Sequence, residues 1–237
     1  MSGGDRRQLK HGYTNDTSTD GRRVIKRYLG PDAELRRRRE QMIYDQLAGQ
    51  LSLPRLLASQ ADQLELQWLP GVPGQELLED QPDAVLTAIG QLARQVHDVD
   101  LDQLSEADRT LPGGSVLVHG DFGPQNVLLD PETAVPTALV DWELTHIGHP
   151  VEDLAWAEWI VRTHHAAVVD RLPALFDGYG DRPAWADRHA AMIDKCHWAL
   201  DFVGRWESGD TPATALWRQR LAATQSFVEH PTRPQRS

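Results

Sequence analysis

Residues Pro70-Gly71-Val72-Pro73-Gly74 place two prolines and two glycines in five positions, a stretch that neither a helix nor a central strand runs through. The chain bends here, and its patterning differs on the two sides. Ahead of the bend, Arg23-Val24-Ile25-Lys26-Arg27-Tyr28 mixes apolar and charged residues as a strand does. Beyond it, Val85, Leu86, Ile89, Leu92, Ala93 and Val96 recur at helical spacing. This predicts an α+β chain with a small antiparallel-sheet lobe over residues 1–69 and a mostly helical lobe over residues 70–237.

Turn chemistry at Gly12-Tyr13-Thr14-Asn15-Asp16 and at Thr19-Asp20-Gly21 predicts hairpins between Gln8 and Tyr28. Pro31-Asp32 opens a helix whose apolar positions Leu35, Met42, Ile43 and Leu47 keep helical spacing, ending near Gly49. Two short strands follow, Leu56 to Ala58 and Leu64 to Trp68. In the second lobe a helix is expected over residues 83–98, with short apolar strands at Val116 to Val118, Val127 to Leu129 and Ala138 to Val140. From Glu152 onward the pattern is helical, interrupted at Pro173, Gly178 to Gly180, Pro183 and Gly209.

Composition narrows the function classes. Of 237 residues, 40% are hydrophobic and 25% charged, enough to bury a sizeable core. No apolar run approaches the roughly 20 residues of a membrane span, and the charged N-terminus lacks a signal-type apolar stretch. The expected location is cytoplasmic. Cys196 is the only cysteine, which excludes an internal disulfide and suits a reducing compartment. A net charge of -11, from 35 acidic and 24 basic residues, argues against nucleic acid as a partner. Such a field attracts cationic small molecules.

The chemistry gathers between residues 118 and 155. Val118-His119-Gly120-Asp121-Phe122-Gly123-Pro124-Gln125-Asn126-Val127 sets a polar loop between two apolar strands, with Asp121 and Asn126 five residues apart. A third oxygen ligand, Asp141, follows the apolar run Ala138-Leu139-Val140. Phosphoryl transfer needs such a set: one carboxylate to take the proton of the acceptor hydroxyl and orient it, and oxygen ligands for the magnesium that bridges the phosphates. Asp121 suits the first role, Asn126 and Asp141 the second.

Together, His119-Gly120-Asp121-x-x-x-x-Asn126, Val140-Asp141-Trp142-Glu143 and Gly148-His149-Pro150-x-x-Asp153-Leu154-Ala155 resemble the aminoglycoside phosphotransferase and choline kinase superfamily. The resemblance is densest over residues 116–156. It implies a bilobal protein-kinase-like fold, ATP or GTP as phosphate donor, Mg2+ as cofactor and a small-molecule hydroxyl as acceptor. It also implies that Asp121 is the base, that Asn126 and Asp141 hold magnesium, that His119 supports the loop and that Asp153 tethers it. In the first lobe, Val24-Ile25-Lys26 resembles the kinase lysine strand, with Glu40 as its helical partner. The phosphate-covering turn falls on Gly12 and Thr14, and the hinge to the base on Gln67-Trp68-Leu69. No Walker-type phosphate loop occurs.

Acceptor choice is expected to lie with the later helices, where Glu143, Glu158, Asp201 and Glu207 are candidate cleft carboxylates and Trp156, Trp159, Trp198 and Trp206 candidate aromatics. Several carboxylates would suit an aminoglycoside. Amino alcohols, sugars and nucleosides fit equally, as does a kinase-like module that binds nucleotide without turnover. The pairs His164-His165 and His146 with His149 lack a third ligand and carry no metal expectation.

Overall fold

The computed structural model describes residues 7–8, 15–104, 115–207 and 209–229. The first lobe is a five-stranded antiparallel sheet of β1 (Arg7–Gln8), β2 (Asn15–Thr19), β3 (Arg23–Tyr28), β4 (Leu56–Ser59) and β5 (Gln63–Gln67) in the order β1-β2-β3-β5-β4. β3 is central, pairing Lys26 with Thr17 on one side and Leu64 on the other. The last two residues of the expected turn at residues 12–16 are strand instead. Asn15 and Asp16 are already in β2, paired with Tyr28 and Arg27, because the strand's cross-pairing outweighs their turn preference. The remaining residues of that turn, Gly12 and Thr14 among them, lie outside the described residues.

Helix α1 (Ala33–Gln46) packs on this sheet. Its buried face is Arg36, Glu40, Ile43 and Tyr44, not the purely apolar stripe that spacing predicts, and Leu35 is left exposed. Charged residues turn inward because β3 offers Lys26 on the facing side. Lys26 and Tyr28, two apart, are both buried, while Arg27 between them is exposed, as strand alternation requires.

At the bend, β6 (Val72–Pro73) leaves the first sheet and pairs with β8 (Val127–Leu129), which pairs in turn with β9 (Pro136–Leu139). A separate ribbon joins β7 (Val116–Val118) to β10 (His146–Gly148), a strand that the sequence pattern did not single out. Short helix α2 (Gly74–Leu77) leads into α3 (Pro82–His97), whose predicted stripe is fully buried. Then come α4 (Val151–His164), α5 (Pro173–Tyr179), α6 (Trp185–Trp206) and α7 (Pro212–Gln225). No helix among the described residues is long and apolar enough to cross a membrane.

One apolar core runs from Ile43, Leu47 and Leu64 in the first lobe through α3 to Phe122 and Trp142 beneath the loops of the second. A smaller cluster, Ala155, Trp156, Trp159, Ile160, Met192 and Cys196, joins α4 to α6. The far end of α6 returns to the first lobe. There Arg205 meets Asp32 at 2.8 Å, and Gly30, at φ 72°, lies so close to the Trp206 ring that a Cβ would stand 2.3 Å from it. Thus α6 forms one wall of the space between the lobes.

Candidate active site

The loop after β7 turns sharply at Gly120. Its φ of 82° is one that glycine adopts without penalty, and a Cβ there would stand 2.3 Å from the Leu144 carbonyl. Asp153, on the first turn of α4 and fully buried, accepts the His119 N–H at 2.8 Å and the Gly120 N–H at 2.9 Å. Its third partner is His97 Nε2 at 3.2 Å, from the end of α3. Burial alone would raise the Asp153 pKa, but the hydrogen bond and charge of His97, with help from His119, hold it below the ordinary value.

His119 knits the loop to the next strand. Its Nε2 donates to the Val140 carbonyl at 3.1 Å and its Nδ1 accepts from the Asp121 N–H at 3.2 Å, the pattern of a neutral imidazole. Burial lowers its pKa in the same sense. Asn126 completes the frame: Nδ2 donates to the Asp121 carbonyl at 2.8 Å and to Asp121 Oδ2 at 2.9 Å, and its backbone carbonyl accepts from Val140 N–H at 3.0 Å. The other carboxylate oxygen of Asp121 accepts from Trp156 Nε1 at 2.7 Å. Each oxygen of Asp121 is therefore fixed by one donor.

Asp141 sits just past β9 with φ 70°, a left-handed backbone that aspartate tolerates better than most residues, while Trp142 beside it is buried with its indole N–H on the Leu139 carbonyl. Across the cleft Lys26 Nζ lies 2.5 Å from Glu40 Oε2, 2.6 Å from Asp141 Oδ1 and 3.4 Å from Glu143 Oε2. Glu40 also accepts the Tyr28 hydroxyl at 2.6 Å and the Tyr44 hydroxyl at 2.8 Å. Burial disfavours the Lys26 ammonium, but Asp141, Glu143 and Glu40 outweigh it and hold its pKa well above the usual value. Asp141 is pushed up to about 7 by burial and by Glu143 and Glu40, against the pull of Lys26.

Sequence and structure differ over the acceptor carboxylates, which do not come together. Glu143 is buried on the Lys26 side, 3.0 Å from Arg36 and 2.5 Å from Asn15 Nδ2. Glu158 is buried between Arg162 at 2.7 Å and Arg188 at 2.8 Å. Asp201 is paired with Arg205 at 3.2 Å, and Glu207 closes α6 about 18 Å along its axis from Lys195. Glu143, Glu158 and Asp201 hold the fold's own cations. Over the segment expected to be the hinge, the Gln67 and Trp68 amides are spent on the Arg55 and Arg22 carbonyls.

Four residues near the site escaped sequence reasoning. Arg36 lies one turn before Glu40 on the same face of α1, a spacing that could have singled it out from Arg36-Arg37-Arg38-Arg39. Trp156 lies three residues after Asp153, on the loop-facing side of α4, and was expected to stack or pack, not to donate to Asp121. His97, at the last position of α3, carries no motif. Lys195, which donates to the Gly120 carbonyl at 2.6 Å, sits on α6 without any pattern around it.

The profile of the phosphotransferase enzyme family matches residues 5–112 and 101–191. The chain belongs to that family. Its resemblance to an aminoglycoside 3'-phosphotransferase of Streptomyces fradiae is 31% identity over 194 residues, covering 61% of this chain and 69% of that one. A shorter match, 49% over 41 residues, is to acyl-CoA dehydrogenase family member 11 of Gallus gallus, covering 17% of this chain. The chain spans only 5% of the length of that relative. Among solved structures, a choline/ethanolamine kinase family protein from Mesorhizobium loti superposes with TM-score 0.70 over 96% of this chain and 89% of its own, at 18% identity. The fold is thus the bilobal kinase-like one expected.

Proposed function

We propose that this phosphotransferase family member moves the γ-phosphoryl group of ATP or GTP to a hydroxyl of a small molecule. The observation that carries this reading is Asp121, its two carboxylate oxygens held by Asn126 and Trp156, on a loop hydrogen-bonded to the strand that leads to Asp141. In the step, the acceptor oxygen bonds to the γ-phosphorus as the bond to the β,γ-bridging oxygen breaks, and Asp121 takes the hydroxyl proton. A phosphate ester and a nucleoside diphosphate leave. The transition state is loose, so Asp121 acts mainly by orienting the hydroxyl in line.

Residues 1–69 form the nucleotide-binding lobe in this reading, with Lys26, positioned by Glu40, on the α and β phosphates. Gly12 and Thr14 cover them, and the hinge is Gln67 and Leu69. The carboxylates of Glu40, Asp141 and Glu143 lie within 4.8 Å of one another; burial and then this crowding push Asp141 up, and the crowding is what a divalent cation would relieve. Asp141 would hold Mg2+ with Asn126, whose Nδ2 is committed to Asp121 and whose Oδ1 remains as ligand. Bound there, Mg2+ supplies neutralising charge for the phosphates. His119 and Asp153 keep the loop in place.

The test combines turnover with binding. ATP and GTP consumption is followed against aminoglycosides, amino alcohols, sugars, nucleosides and hydroxy acids, for the native chain and for Asp121→Asn. Loss of about a thousandfold or more in turnover, with nucleotide affinity kept, is expected. Equal turnover in the variant sinks the base assignment, and an absence of turnover in the native chain across the panel favours a nucleotide-binding module.

A further inference from the structure

Beside Asp121 stands a cation rather than the carboxylates an aminoglycoside site would need. Lys195 Nζ lies 2.6 Å from the Gly120 carbonyl oxygen, 5.7 Å from the centre of the Trp156 ring and 4.1 Å from that of Trp198. Because Trp156 also donates to Asp121, the ammonium and the carboxylate meet a single indole. Among the described residues the buried lysine and arginines, Lys26, Arg36 and Arg188, each have a carboxylate within 3.0 Å. Among the described residues, none lies within the 4.0 Å ion-pair distance of Lys195. Asp121, Asp153 and Glu152 act on its charge only from beyond contact, and a half-buried ammonium beside Asp121, with donors to spare and no carboxylate in contact, is a site for an anion.

Next to it one indole is exposed. Lys195, Trp198 and Phe202 share one face of α6 at i, i+3 and i+7. Trp198 is 39% exposed and stacks on Phe202 at 5.2 Å. An anionic head at Lys195 would leave the body of the molecule on the Trp198 ring.

We propose that Lys195 is a specificity-determining residue of the acceptor subsite, and that the acceptor carries an anionic group, carboxylate or phosphate, near the hydroxyl presented to Asp121. The proposal rests on the phosphotransferase reading of Asp121. A polyamine is disfavoured here, since each added ammonium would face Lys195 at close range.

The full chain is assayed with MgATP and MgGTP on acceptors of matched carbon skeleton: a hydroxycarboxylate, its uncharged amide, the corresponding amino alcohol, and the phosphate monoester of the diol. Binding of each is followed in parallel by tryptophan fluorescence. The carboxylate or the phosphate ester should exceed the amide by about tenfold or more in kcat/KM, as expected for one charge-assisted hydrogen bond, and the better of the two identifies the anion. Lys195→Gln keeps an N–H for the Gly120 carbonyl but loses the charge, and should bring anion and amide to near equality. Lys195→Arg should keep the preference. A purely structural lysine would leave that ratio unchanged in Lys195→Gln, which overturns the proposal, as does amide or amino alcohol serving as well as the anions, or no anion binding at all. Charge-dependent binding without turnover, lost in Lys195→Gln, upholds the anion subsite while the phosphotransferase reading fails.

Discussion

The two sides of the cleft are built on opposite plans. On the side of β3 and α1, Lys26, Arg36, Glu40 and Glu143, all buried, and the half-buried Asp141 form a continuous charge network that ties both lobes together. On the side of α4 and α6, Asp121, Trp156 and Lys195 meet through single hydrogen bonds and ring contacts, with an exposed indole beyond them. A network of several charges fixes one geometry and resists substitution, whereas isolated contacts leave room for different molecules. The difference is what a transfer enzyme needs if one substrate, the nucleotide, is shared across relatives and the other is not.

The contrast breaks most sharply at Lys26. Lys26→Met leaves Glu40, Asp141 and Glu143 crowded together with only Arg36 as a near cation, and removing one partner of a buried ionic set costs about 3–5 kcal/mol. Urea unfolding at neutral pH measures it. A loss below about 1 kcal/mol, the scale of exposed pairs, would mean that the network is not structural and that the two sides do not differ in kind.

A second large effect is expected at the hinge between the sides, Asp153. Asp153→Asn weakens the acceptor of two loop amides and of His97, at about 2–3 kcal/mol. Its folded pKa is below the ordinary carboxylate value, so the stabilisation is fully present at neutral pH, above the unfolded value, and fades as pH falls through the lowered folded value. The difference in unfolding free energy between native chain and variant should therefore shrink in acid. A difference constant from pH 7 to pH 2 would assign the role of Asp153 to packing alone.

Legibility in the sequence follows the same division. Asp121, Asn126 and Asp141 were singled out because phosphate chemistry demands fixed residue types at loop positions set by short strands, and Asp153 because its motif resembles the family's, and the structure places Asp153 on the loop amides. Lys26 and Glu40 were expected only through the resemblance of Val24-Ile25-Lys26 to the kinase lysine strand, and the structure sets them 2.5 Å apart. The acceptor side could not. Glu158 and Asp201 look like cleft carboxylates until their arginines are placed, and Arg188 reaches Glu158 across 30 residues of sequence. Lys195 is one of many charged helix residues, distinguished only by the carbonyl it meets 75 residues away. The fold itself was legible in its elements, except where a rule of thumb yielded to pairing, as at Asn15 and Asp16, and at strand β10, whose His146-Ile147-Gly148 lacks the apolar run that marks β7 and β8.

The finest test of the comparison is Trp156→Phe, which removes one N–H and keeps an aromatic ring against Trp159, stacked at 4.4 Å. If the acceptor side is held by separate contacts, the loss should appear in catalysis and hardly at all in folding. With Asp121 Oδ1 unheld, the carboxylate retains only the Asn126 donor at Oδ2, and the in-line hydroxyl is less well fixed. A fall of about tenfold in kcat, equal to roughly 1.4 kcal/mol in the transition state, is expected with the nucleotide KM unchanged and the urea midpoint nearly so. In the Asp121→Asn background the same substitution should add little, because the group it positions is gone. An unfolding loss as large as that of Lys26→Met would instead make Trp156 part of a structural network and erase the distinction between the two walls.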